Sequence, residues 1–158
     1  MMKPKTFIGQ TAEIILPEIS LSHLIARVDT GAKTSAIWVS AVTEVEGGLE
    51  VLFFGEGVPH FRPQTAIFKE YGDTLVTSSN GSSEARFKVK LTCRVAGRSI
   101  RAWFTLADRS TLTYPVLLGR NILRGKFIVD VSIATAKLSI ESVGSKAALA
   151  PKHQEKTV

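Results

Sequence analysis

From Phe87 to Leu106 apolar side chains fall on every second residue, with one interruption at Ala96-Gly97-Arg98. Phe87, Val89, Leu91, Cys93 and Val95 share one face, and Ile100, Ala102, Phe104 and Leu106 share it again after the turn. A period of two is the signature of a strand with one buried side, and two such runs joined by a Gly-bearing turn make a hairpin. No helix gathers these residues on one face, so this part of the chain is committed to a sheet. The opposite face carries Arg86, Lys88, Lys90, Arg94, Arg101 and Trp103. A basic strip with one Trp can hold a polyanion, but no nucleic-acid-binding motif accompanies it. We read it as the solvated side of the strand pair and expect no nucleic-acid partner. The net charge of +6 favours acidic partners without selecting one.

Short alternating segments between turn signals continue along the chain and predict an all-β fold. Ile8 to Leu16 reads as one strand stopped by Pro17, and Leu24 to Val28 as another. Ile37–Val45 and Leu49–Phe54 flank Glu46-Gly47-Gly48, a hairpin. Residues 55–73 read as a long irregular excursion. Val76 to Arg86, with Asn80-Gly81 at its centre, reads as the tip of a polar hairpin. An apolar strand ending at Leu118-Gly119 leads into a short helical turn that stops at Gly125, and Phe127–Val131 and Lys137–Ile140 complete the sheet. At 158 residues the chain is long enough for one domain with a real core. We place that domain at residues 1–142 and read 143–158 as a disordered basic tail. Cys93 is the single cysteine, expected buried, which leaves no internal disulfide and no Cys-rich metal site. No apolar run reaches membrane-spanning length, and residues 1–6 lack a signal-type apolar region, so a cytoplasmic protein without membrane contact is expected.

The chemistry concentrates in Arg27-Val28-Asp29-Thr30-Gly31-Ala32-Lys33-Thr34-Ser35-Ala36-Ile37. An apolar approach delivers one acid into a turn of small residues, and a second apolar run leaves it. An unpaired buried carboxylate is expensive, so Asp29 is either a functional group or the cap of a tight turn. Gly31 permits close backbone approach or positive φ, and Thr30 offers a hydroxyl. The serines around Asn80 have no neighbouring His and no Gly-x-Ser-x-Gly, which argues against a serine hydrolase.

Asp29-Thr30-Gly31-Ala32 after an apolar strand, with Leu117-Leu118-Gly119-Arg120-Asn121 roughly ninety residues on, resembles the retropepsin-like aspartic peptidases. The resemblance spans about residues 8 to 140. It implies a single-lobed closed β-barrel with one short helix and a flap hairpin at Ser78–Arg86. The stretches Val28–Ala36, Val76–Gly81 with Glu84 and Arg86, and Leu117–Arg120 are more closely similar to bacterial proteins labelled ATP-dependent zinc proteases. That group includes the RimB-like proteins linked to ribosomal-protein glutamate ligases. The label implies zinc and ATP. The sequence has no His-Glu-x-x-His, His23, His60 and His153 lack ligand spacing, and no Gly-x-x-x-x-Gly-Lys-[Ser/Thr] loop occurs. We therefore expect neither cofactor and no metal ligands.

The resemblance further implies peptide hydrolysis by two carboxylates sharing a proton. One Asp-Thr-Gly per chain implies a homodimer in which Asp29 meets its copy, with Thr30 and Gly31 completing the catalytic loop. Asp73, Asp108 and Asp130 are rival second acids within the chain, Asp130 being read as structural. Ala32, Lys33, Ser79, Asn80, Gly81, Glu84 and Arg86 are implied as contacts for a peptide or protein substrate, one that carries added glutamate being an option. Lys33 stands where the retroviral pattern commonly has an acid: pointing inward it would favour ionised Asp29, and pointing outward it is solvated. Glu84 and Arg86 either recognise a polar substrate or form an exposed cross-strand ion pair. The leading expectation is an aspartic peptidase. The alternatives are a non-catalytic peptide-binding module linked to glutamate modification of proteins, and a zinc-dependent protease.

Overall fold

The computed structural model describes residues 4–55, Val58 and residues 65–137. In chain order its elements are β1 (Thr6–Ile8), β2 (Thr11–Leu16), a 3-10 turn (Pro17–Ile19), β3 (Leu21–Val28), β4 (Ser35–Val45), β5 (Gly48–Phe53) and β6 (Thr65–Phe68). There follow β7 (Tyr71–Thr77), β8 (Ser83–Val95), β9 (Arg98–Ala107), β10 (Val116–Leu118), α1 (Arg120–Leu123), β11 (Phe127–Val129) and β12 (Thr135–Ala136). Among the described residues the fold is mostly β with one short α-helix.

The alternating run forms the expected β8/β9 hairpin, with Cys93 opposite Ile100 and Val89 opposite Phe104. Ala96 and Gly97 turn it with φ of 48° and 78°, the left-handed pair that matches strand twist. Glu46 and Gly47, the glycine at φ of 97°, turn β4 into β5, with Val45 paired to Gly48. The inward residues Val89, Leu91, Cys93 and Phe104 are fully buried with Ile14, Leu16, Ile37, Leu118 and Ile122. On the outer face Lys88 and Lys90 lie 4.8 and 5.1 Å from the centre of the Trp103 ring.

The central sheet runs β10-β3-β2-β8-β9-β4, and β10 also pairs with β4, so these six strands close a ring. β10 is parallel to β3 and antiparallel to β4. That pairing brings the Asp29 turn and the Gly119 turn to the same end of the ring.

Two expectations are corrected. Ile8–Leu16 is two strands, because residues 133–134 cross the chain at Gly9: Gln10 N–H donates to Ile133 O at 2.9 Å, and a Cβ on Gly9 would lie 2.3 Å from that oxygen. Residues 65–77, inside and beyond the expected excursion, form β6 against β5 and β7 against β8. Phe68 there packs edge-on to Phe53 at 6.0 Å, so the segment gains its order from a distant strand. Residues 56–57 and 59–64 lie outside the described residues, as does the expected 143–158 tail. β12 is Thr135–Ala136; of the strand expected at Lys137–Ile140, residues 138–140 lie outside the described residues. Among the described residues no helix is long and apolar enough to cross a membrane.

Candidate ligand-binding site around Asp29

β3 delivers Asp29 to the end of the ring, where its N–H donates to Leu118 O at 2.9 Å. The turn then closes on the side chain: Gly31 N–H donates to Asp29 Oδ1 at 2.8 Å. A Cβ on residue 31 would come within 3.2 Å of that oxygen, so the glycine serves close approach and not positive φ. Behind the turn, Arg120 N–H donates to Ala32 O at 2.8 Å and Asn121 N–H to Lys33 O at 3.2 Å. The Arg120 guanidinium donates to Thr30 O at 3.0 Å. Gly119 sits so close that a Cβ would lie 2.8 Å from Thr34 C and 2.9 Å from Ala32 O. Backbone cannot yield there as a flexible side chain would, and glycine is required.

Ser35 and Asn121 lock the two turns together. Gly119 N–H donates to Ser35 Oγ at 2.9 Å, and that hydroxyl donates to Asn121 Oδ1 at 2.8 Å. The same Oδ1 accepts Ser35 N–H at 2.9 Å, while Asn121 Nδ2 donates to Trp103 O at 2.9 Å.

Asp29 opens on a cleft of about 740 Å³. Its polar wall is Gln10, Arg27, Asp29, Thr30, Arg109, Thr113 and Tyr114, and its apolar wall Val28, Leu112, Leu117, Val129 and Val131. Arg109 is half-buried and anchored, its Nε donating to Tyr114 O at 3.0 Å. Burial holds its pKa below the usual arginine range; the charge of Arg86 adds to this and that of Asp29 opposes it. An arginine stays charged through such a shift. Asp29 is the single carboxylate among the described residues of the lining. The rival acids are elsewhere: exposed Asp108 and half-buried Asp130 each accept hydrogen bonds from the residue two on, Ser110 and Ser132, and these bonds lower both pKa values. Asp73 is exposed on β7 opposite Phe87.

The other expected site residues divide. Thr30 contributes its carbonyl to the described hydrogen bonds. Ala32 and Lys33 are held by α1, and the Lys33 side chain lines a different cleft from Asp29, with Arg120, Asn121, Arg124 and Lys126. Ser79, Asn80 and Gly81 form the tip of the β7/β8 hairpin, where Asn80 Oδ1 accepts Ser82 N–H at 3.0 Å and Gly81 has φ of 91°. Glu84 and Arg86 pair at 3.5 Å with the carboxylate mostly exposed. Arg86 Nε is nevertheless buried with no hydrogen-bond partner among the described residues. Arg109 was invisible to sequence reasoning: it follows an unremarkable Asp in a polar turn, far along the chain from Asp29. Among the described residues no three His, Cys, Asp or Glu side chains gather as metal ligands; His60 and His153 lie outside the described residues. The described residues therefore do not fit the zinc of the group's label.

A family model described as RimB-like, retropepsin-like aspartic endopeptidase RimB, matches residues 7–138. The chain belongs to the RimB-like family. A solved structure from Legionella pneumophila, described as a protein of unknown function, has the same fold, with a TM-score of 0.57 at 21% identity over 84% of this chain and 98% of that one. Among curated relatives, a probable alpha-L-glutamate ligase of Desulfotalea psychrophila is 28% identical over 89% of this chain and 32% of its own length. One of the same name from Shewanella pealeana is 28% identical over 84% of this chain and 30% of its own length. The chain thus spans about a third of the curated relatives it matches.

These relatives correct the leading expectation. The family description contains the word endopeptidase, but the curated proteins that align along most of this RimB-like chain are named as ligases of glutamate. Peptide hydrolysis by an Asp29 dyad is overturned as the reading of its activity.

Proposed function

We propose that this RimB-like chain is a non-catalytic peptide-binding module of a glutamate-modification system, holding an acidic, glutamate-bearing segment for a glutamate ligase. The observation that carries the reading is Arg109, half-buried, anchored on Tyr114 O and facing a cleft whose other cation is Arg27. A half-buried guanidinium offers a carboxylate a charge-assisted, bidentate partner. The Arg86 charge disfavours a second cation at Arg109, and a ligand carboxylate would ease that repulsion. Exposed Leu112 and Val131 would pack against the methylene stems of glutamate. In this reading the six-strand ring is a closed barrel and the Ser78–Ser82 hairpin is a flap across the bound segment, with Ser79, Asn80 and Gly81 meeting its backbone.

The test is fluorescence anisotropy of labelled six-residue oligoglutamate and oligoglutamine with the wild type and Arg109→Leu. The acidic peptide should bind, the neutral one should not, and Arg109→Leu should weaken binding about tenfold or more, the value of one charged hydrogen-bonded contact. The acidic peptide should be recovered intact. Equal binding of both peptides, or indifference to Arg109→Leu, would overturn the reading.

A further inference from the structure

On the far side of the Asp29 turn lies a second cleft of about 380 Å³, lined by Lys33, Arg120, Asn121, Arg124 and Lys126. Four of its five lining residues are cations, and none is an acid. Among the described residues the side chains of Lys33, Arg124 and Lys126 make no ion pair and no hydrogen bond, whereas Lys90, Arg101 and Lys137 elsewhere each have a carboxylate within 4.0 Å. Like charges gathered without a counter-ion repel one another and focus a positive potential in the concavity.

The frame that gathers them is rigid. Arg124 N–H donates to Arg120 O at 2.9 Å, Lys126 N–H donates to Leu123 O at 3.1 Å, and Lys126 O accepts Thr6 N–H at 2.9 Å. Asn121 is spent on Ser35 and Trp103, so it fixes the wall and leaves recognition to the cations. Arg120 joins the two clefts: it lines the basic one and donates to Thr30 O, in the wall of the other. Residues 29–33 are therefore a common partition, and a segment extending from Asp29 past Thr30 arrives at Lys33.

We propose that this basic cleft is a second anion subsite, which takes the carboxylates of a glutamate-rich segment beyond the residue held at Arg109. The inference rests on the acidic-peptide reading above and adds a location and a length dependence to it. Carboxylates are favoured over a nucleic-acid strand because the lining has no aromatic side chain on which a base could stack. The neighbouring Trp103 ring already carries Lys88 and Lys90.

Labelled oligoglutamates of two to ten residues, titrated into the full chain, test it. Wild-type affinity should rise with length. In R124S/K126S, which removes two side chains without described bonds, the gain with length should disappear, costing the longest peptide about tenfold. The shortest peptide should bind as in the wild type. K33S, on the opposite wall, should show the same pattern more weakly. Full length dependence retained in R124S/K126S, with binding still sensitive to Arg109→Leu, overturns the subsite and leaves the first cleft intact. Oligoglutamates that fail to bind at all overturn both readings. A single-stranded RNA oligomer bound in preference to oligoglutamate, and lost in R124S/K126S, assigns the cleft to nucleic acid and overturns the proposal.

Discussion

Ser35 and Asn121, 86 positions apart, are joined by a 2.8 Å hydrogen bond from the serine hydroxyl to the amide oxygen. Ser35 opens β4 directly after the Asp29 turn, and Asn121 lies in α1 directly after Gly119. The same oxygen takes Ser35 N–H, and the hydroxyl takes Gly119 N–H. One side-chain pair therefore satisfies backbone donors of both turns and fixes the walls of both clefts.

Removing the amide should be costly. Asn121→Ala leaves the N–H and hydroxyl of fully buried Ser35 without their acceptor, a loss of about 2 kcal/mol. For a domain of this size that lowers the thermal midpoint by on the order of 5 °C. Calorimetry checks the stability, and oligoglutamate titration at a temperature where the variant is folded should show weaker binding, because the turn is no longer pinned.

Asp29→Asn tests the charge of the cleft. The new amide oxygen can still accept Gly31 N–H, so the turn persists, but one negative charge leaves the cleft. At roughly 5 Å in water that charge repels a ligand carboxylate by about 0.8 kcal/mol. Oligoglutamate should bind on the order of fourfold more tightly to the variant at low salt, with the difference fading as salt is added. Weaker binding by the variant would mean that Asp29 itself contacts the ligand.

Cys93 should report unfolding. Burial, with a smaller contribution from the Glu18 charge, pushes its thiol up to about 12. At about pH 8 the native thiol should therefore resist alkylation, and labelling should track the unfolded fraction. The unfolded chain releases this proton near the ordinary value of 9.0, while the folded chain keeps it. The thiol thus makes stability fall as pH rises from about 9 towards 12. Denaturant midpoints measured across that range should decline more steeply for the wild type than for Cys93→Ala.

Much of the sheet could be read directly from the chain. The β8/β9 alternation, the Ala96-Gly97, Glu46-Gly47 and Asn80-Gly81 turns and the short helix after Gly119 depend on residues close in sequence, where side-chain period and backbone freedom decide the outcome. The motif also located Asp29 at a turn between two strands. What stood beside it was a tertiary matter. Arg109 reaches the Asp29 cleft, and Lys33 joins Arg120, Arg124 and Lys126, because β10 inserts between β3 and β4 and closes the ring. The bend at Gly9 is imposed by residues 133–134, and the order of β6 comes from β5. In each case the deciding contact joins residues far apart along the chain. No local period or propensity encodes such a meeting, since the energy that selects it exists only once the strands have paired.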